Sequence, residues 1–207
     1  MRDALQVVRA AIVDLWDHAF LVIFCSLVWL FLVLLIIPGP PATLAIFSIS
    51  RSIVANEYLL EFRDYLRAVW RNFGVGWRWA AINIPVLLIL AVDIRVVPQM
   101  FSATIAASIQ LAFYLALGFW IVVNWYALAF LFQQEKASVL QALRNGGVVL
   151  LRYPGFSLVL IVATAALLAL TFVFVIVNML FGPMLMGLIS THAVISRLEI
   201  FRAVKRT

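Results

Sequence analysis

Asp14, Asp17 and His18 are the one acid–imidazole cluster in the sequence. On a helix Asp14 and His18 would share a face, four residues apart. That spacing suits a proton relay or two ligands of a metal ion. The same residues just ahead of an apolar run also suit interfacial solvation and capping, which require no chemistry. A metal would need further ligands, and no matching partner is visible elsewhere in the chain. The other imidazole, His192, follows Ser190 and Thr191 in a stretch without formal charge. An ionisable group in such a stretch is a functional candidate; its plain alternative is a neutral ring hydrogen-bonded to a neighbouring helix. Asn83, Gln110, Asn124 and Asn178 are amides in similarly apolar surroundings. Such amides tie helices together at about 1 kcal/mol each, and would line a polar path if they converged on one cavity.

The familiar reactive patterns are missing. The sequence holds no Walker-type glycine loop, no HExxH, no CxxC and no GxSxG, so hydrolytic or ATP-driven chemistry is not expected. No cofactor or metal is expected either. The lone cysteine, Cys25, lies inside an apolar run, can form no intrachain disulfide, and reads as a small core hydrophobe. No Asp or Glu falls in the middle of an apolar stretch, where proton- or sodium-coupled transport usually needs one.

The elements that must position these groups are set by composition. Of the 207 residues, 66% are hydrophobic and 12% charged, against about 45–50% and about 25% in soluble domains. A soluble fold of this length could not cover that apolar surface, whereas lipid needs no cover. The net charge of +6 then reflects cationic flanks held on one side of a membrane rather than a nucleic-acid surface.

A spanning helix takes about 20 mainly apolar residues. The charge-free stretches predict spans at about 19–37, 42–56, 75–95, 101–132, 156–180 and 184–201. Pro38-Gly39-Pro40-Pro41 separates the first two, and Gly182-Pro183 the last two, because prolines interrupt helices. The second span is short and could be re-entrant. Pro98 is expected to turn the chain after the third. Amphipathic helices are expected at about 3–17, 58–73 and 136–152. In the second, Leu59, Phe62, Leu66, Val69 and Phe73 recur at helical spacing, while Arg63, Arg67 and Arg71 form a basic stripe suited to anionic headgroups.

Orientation follows from the cations. Six spans with an inside N-terminus put residues 1–17, 51–78, 133–152 and 197–207 on one side, and these hold every Lys and Arg except Arg95. Both termini are therefore expected in the cytoplasm. The first residues mix Asp3, Asp14 and Asp17 with Arg2 and Arg9, unlike a cleaved signal. An internal echo aligns Trp70-Arg71-Asn72-Phe73-Gly74-Val75 with Leu143-Arg144-Asn145-Gly146-Gly147-Val148, as a duplicated unit would.

Ser26-Leu27-Val28-Trp29-Leu30, Pro41-Ala42-Thr43 and Leu66-Arg67-Ala68-Val69-Trp70-Arg71-Asn72-Phe73 resemble the YesL-like bacterial membrane proteins, whose domain has no assigned function. The segment from Leu140 to Ile161 through Tyr153-Pro154 is similar to that family's later half. The resemblance implies a multi-span protein of the bacterial cytoplasmic membrane, associated with carbohydrate uptake and degradation, and carries no catalytic residues across. The expectation is a non-enzymatic accessory component, its partners the anionic bilayer and a membrane transporter subunit. The alternative is a small autonomous transporter or channel. A third reading, an enzyme acting on lipid or a lipid-linked sugar, would need Asp14, Asp17 and His18 to meet a substrate.

Overall fold

The computed structural model describes residues 2–57, 60–172 and 174–204. Leu59 of the expected apolar stripe, and Lys205 and Arg206 of the basic tail, lie outside the described residues. The described chain is helical throughout: α1 (Arg2–Asp17), α2 (Ala19–Leu34), α3 (Gly39–Val54), α4 (Phe62–Arg71), α5 (Phe73–Met100), α6 (Ala103–Leu131), α7 (Val139–Arg152), α8 (Pro154–Phe172) and α9 (Val175–Val204). Three helices, α5, α6 and α9, are long and apolar enough to cross a membrane; counting the bent pairs α1–α2 (92°) and α7–α8 (101°) as single spans gives up to five. The protein is thus an all-helical chain with the helices of a membrane protein.

Prolines act differently from the expectation at three places. Gly39, Pro40 and Pro41 form the first turn of α3 instead of standing outside it. The first-turn N–H groups have no intrahelical acceptor, so proline loses nothing there. Pro98 lies inside α5, which runs on to Met100, and the chain turns at Phe101 and Ser102. Pro183 lies inside α9, with Gly182 ahead of it to relieve the clash that proline imposes on its predecessor. The division between the last two apolar helices falls earlier, with α8 ending at Phe172 and α9 starting at Val175. No proline or glycine marks that point. The 19 residues of α8 span about 28 Å, close to the roughly 30 Å of a hydrocarbon core, so length rather than a breaker suits the turn.

The core is organised around α3. Its buried residues include Ala42, Leu44, Ala45, Ile46, Ile49 and Ile53, and it packs against α2, α4, α5, α6 and α9. Two glycines permit the closest approaches of one helix to another's backbone. A Cβ on Gly76 would lie 2.7 Å from the Pro41 backbone, seating α5 on α3, and one on Gly146 would lie 2.6 Å from the Val123 carbonyl, seating α7 on α6. Tyr65 of α4, fully buried, donates its hydroxyl proton to the Ala42 carbonyl at 3.1 Å. Burial, with Cys25 nearby, pushes this phenol well above its usual range, so it remains a neutral donor.

The turn between α2 and α3 is unusual. Leu34, Leu35, Ile36 and Ile37 are all exposed, and Ile36 adopts a φ of 63°, a region that β-branched residues rarely enter. Both helices have 16 residues, about 24 Å at 1.5 Å per residue, which is short of a full hydrocarbon core. The basic segments collect at the opposite end. There Asp3 of α1 meets Arg197 of α9, Arg71 of α4 donates to Ser48 of α3, and Arg152 of α7 lies over the Phe201 ring of α9. The two halves of the internal echo fall on unlike structure: the first straddles the junction of α4 and α5, while the second lies wholly within α7.

Candidate functional site

The hairpin of α5 and α6 carries the same pattern on both arms, a tryptophan followed four residues later by an asparagine: Trp79 and Asn83, Trp120 and Asn124. Four residues on a helix return to the same face. Because the arms run antiparallel, each tryptophan meets the other arm's asparagine. Trp79 Nε1–H donates to Asn124 Oδ1 at 3.0 Å, and Trp120 Nε1–H donates to Asn83 Oδ1 at 3.0 Å. Each asparagine turns its amide N–H back onto its own helix, Asn83 to the Trp79 carbonyl and Asn124 to the Trp120 carbonyl, both at 2.9 Å. The result is a reciprocal clamp in which both indole N–H groups and both amide oxygens are satisfied. Asn83 and Asn124 were expected to pair between helices. Neither Trp79 nor Trp120 is among the residues that the sequence singles out as candidates; the repeated W-x-x-x-N spacing is the signal that marks them.

This clamp forms one wall of a cavity of about 670 Å³ lined by residues of α2, α3, α5, α6, α8 and α9. Four indoles line it, those of Trp29, Trp79, Trp120 and Trp125. Besides the clamp, Trp29 Nε1–H donates to Thr43 Oγ1 at 3.1 Å, and Trp125 Nε1–H donates to the Met186 carbonyl at 2.8 Å. Every indole N–H is thus bonded to the protein, and the rings offer the cavity only their carbon faces. Among the described residues no charged side chain lines it. Asn178 does, half-buried, and among the described residues its side-chain amide has no hydrogen-bond partner. Asn83, Asn124 and Asn178 therefore converge on one cavity. Gln110 does not: its Nε2–H donates to the Ile94 carbonyl at 2.9 Å, further out along the hairpin.

The cluster read from Asp14, Asp17 and His18 comes apart. His18 Nδ1 bonds only to the Asp14 backbone carbonyl, at 3.1 Å, and Asp17 is exposed. The Asp14 carboxylate instead accepts from His192 Nε2–H at 2.7 Å. Residues 178 apart in sequence thus replace a pair four apart, because α1 packs along α9. Among the described residues no three His, Cys, Asp or Glu side chains gather as a metal site would require. His192 stands outside the cavity lining.

Five residues past His192 on α9 lies a buried cation. Arg197 of α9 is 5% exposed. Its Nη2 donates to Asp3 Oδ2 at 3.2 Å, and its guanidinium lies 3.8 Å from the Phe156 ring centroid and 5.3 Å from that of Tyr153. One buried cation thereby joins α1, the start of α8 and α9. Losing the partner of a buried charge is far costlier than losing an exposed one, so this junction is structural.

On α4 the basic stripe is present and divided in use. Arg67 pairs with Asp64 at 2.6 Å, Arg63 lies over the Phe62 ring at 5.7 Å, and Arg71 donates to Ser48 at 3.1 Å. The apolar face differs from the expected one. Tyr65, Ala68 and Val69 are buried against the protein, while Phe62, Leu66 and Trp70 form a separate exposed apolar strip. The helix therefore has three sides: one for the bundle, one bare and apolar, one cationic.

Comparison with protein-family models, with curated proteins and with solved structures finds no match to this chain.

Proposed function

We propose that this chain is a multi-pass protein of the bacterial cytoplasmic membrane, a relative of the YesL-like proteins, that works by association as a non-enzymatic accessory component of a carbohydrate-uptake system. In this reading α5, α6, α8 and α9 cross the bilayer, α2 and α3 form a short hairpin dipping into it, and α1, α4 and α7 lie at the cytoplasmic surface. The six membrane-embedded segments leave both termini in the cytosol. The three-sided α4 supports the surface assignment, since a helix at the headgroup level meets protein, hydrocarbon and water at once. The exposed apolar side chains of Leu34–Ile37 support the hairpin, and the turn bonds its own N–H groups as a bilayer demands, Ile36 to the Val33 carbonyl, Ile37 to the Leu35 carbonyl and Gly39 to the Ile36 carbonyl. A phosphatase reporter inserted after Phe101 should be active and one fused after Thr207 inactive; the reverse pattern would overturn the orientation.

The observation that carries the association reading is the state of the α5–α6 hairpin. Beyond the clamp, Leu88, Ile89, Val92, Leu111, Leu115 and Phe119 are exposed on the outer half of the helix pair, a face open to a membrane partner that would hold it by close packing and hydrogen bonds, since hydrocarbon already satisfies its apolarity. The carbohydrate link rests on the family resemblance alone. Affinity purification in mild detergent should recover a transporter subunit in stoichiometric amount, and recovery of a solitary protein that moves sugar in proteoliposomes would refute the reading.

The cavity beside the clamp favours a second reading, a small autonomous transporter. There Asn83, Asn124 and Asn178 would line the path, and His192 would not. Solute flux in proteoliposomes that falls with Asn178→Leu and survives His192→Ala would support it.

A further inference from the structure

We infer that the tryptophan-lined cavity is a binding site for one acyl chain of a bilayer lipid. Three features identify the occupant. The first is the mouth. Leu87, Ile121, Val175 and Met179 line the cavity and are also exposed, so it opens through an apolar rim. A mouth of that kind in a membrane protein faces hydrocarbon, and only a molecule already dissolved in the bilayer reaches it without crossing water.

The second is the lining. Ions and sugars are held by free donors and acceptors, and here the four indole N–H groups are bound to Thr43, Asn124, Asn83 and the Met186 carbonyl. Apart from the Asn178 amide, what remains is aromatic and aliphatic carbon, the common lining of sites for apolar ligands, and the volume of about 670 Å³ falls within the range of roughly 300–1,000 Å³ for such sites. The third is depth. Along α9 the lining runs from Val175 to Met186, about 16 Å at 1.5 Å per residue. That is half of a roughly 30 Å hydrocarbon core, the depth of one leaflet and hence of one lipid chain.

Asn178 fixes the polar end. It lies one turn in from the start of α9, near the rim end of the cavity, and its amide has no partner among the described residues. An ester or carboxyl group at the head of the chain would reach it, with the methyl end toward Trp125 and Met186. Gly182 keeps the way open, since a Cβ there would lie 2.5 Å from Asn178 Oδ1 and would displace that amide.

The test uses tryptophan emission from the full chain in dodecyl maltoside micelles, titrated with 9,10-dibromostearic acid, whose bromines quench on contact. Four of the seven tryptophans line the cavity, so quenching should remove about half of the emission and saturate at one chain per protein molecule. Met186→Phe fills the deep end and Leu87→Phe narrows the rim; each should abolish the saturable phase, and the rim variant leaves the core packing untouched if the deeper one fails to fold. Asn178→Leu should weaken binding roughly three- to tenfold, the worth of one hydrogen bond. Quenching that grows without saturation, or that is indifferent to both phenylalanine variants, would overturn the site; equal affinity in Asn178→Leu would remove the polar contact. The result is independent of the association reading: a transporter subunit that co-purifies with protein lacking saturable quenching would sink the acyl site alone.

Discussion

The two long apolar regions of this molecule, α9 and the α5–α6 hairpin, are similar in composition and opposite in use. The most apolar windows of α5 and α6 are only 17% and 6% buried within the protein, whereas that of α9 is 56% buried. Against α9 lie α1, α2, α3, α6 and α8, and Leu188, Ile189, Ala193 and Val194 are fully enclosed. The outer parts of α5 and α6 touch mainly each other, joined by the Trp–Asn clamp and by Gln110. In water such a difference would be a defect. In a bilayer, hydrocarbon is as good a neighbour for leucine as another leucine is, so association needs close packing and hydrogen bonds rather than apolarity. The inner region has small residues at its crossings and buried hydroxyls, as where Ser190 donates to the Trp125 carbonyl at 2.6 Å. The hairpin has a polar clamp at one level and bare apolar surface elsewhere.

Variants can break or sharpen this contrast. The largest effect is expected where the inner end of α6 meets α7 backbone to backbone: Gly146→Leu would drive a side chain into the Val123 carbonyl and Ala127 nitrogen, neither of which can move aside. A loss on the order of 3 kcal/mol should appear as aggregation during size-exclusion chromatography in detergent. Next comes the clamp. Asn124→Leu strands the Trp79 indole N–H, and a double-mutant cycle with Trp79→Phe, read by unfolding in mixed micelles, should give a coupling of about 0.6 kcal/mol and at most about 1.7. A coupling of zero would mean that the hairpin holds together without it.

The contact between α1 and α9 should be comparable. Asp14→Ala removes the acceptor of the His192 N–H, at about 1 kcal/mol, and should speed protease cleavage within residues 2–17. Asp17→Ala, which removes no bond, is the control. Smallest of all, Leu111→Ala and Leu115→Ala on the exposed hairpin should change the stability of the isolated chain by less than about 0.5 kcal/mol. The same two changes would diminish recovery of a partner that docks there, and equal recovery would move the docking surface elsewhere.

Much of the helical plan was legible in the residues, and its errors have physical causes. Charge-free runs located the apolar helices because a charge in hydrocarbon is excluded. They did not locate every break, since Pro98 and Pro183 sit inside helices while α8 ends at Phe172 and α9 starts at Val175 with no proline or glycine there. On α4 the spacing revealed amphipathicity but selected Leu59, Phe62, Leu66, Val69 and Phe73 as one face. Tyr65, Ala68 and Val69 are buried while Phe62, Leu66 and Trp70 are exposed, so the helix has two apolar sides, which a single stripe cannot describe. In the candidate site, Asn83, Asn124 and Asn178 stand out as polar groups in apolar runs, while the tryptophan partners of Asn83 and Asn124 are masked by the commonness of tryptophan near membrane interfaces.

By itself the sequence determined the class of this protein and the segregation of its cations into a few flanks, because both depend on composition and linear spacing. Tertiary structure alone decided that Asp14 answers to His192 rather than to His18, that Arg197 is buried between two aromatic rings, and that four indoles turn their carbon faces to one cavity. Those outcomes depend on which helices become neighbours, and neighbours are chosen by glycine-sized clearances and single hydrogen bonds that no period in the chain records.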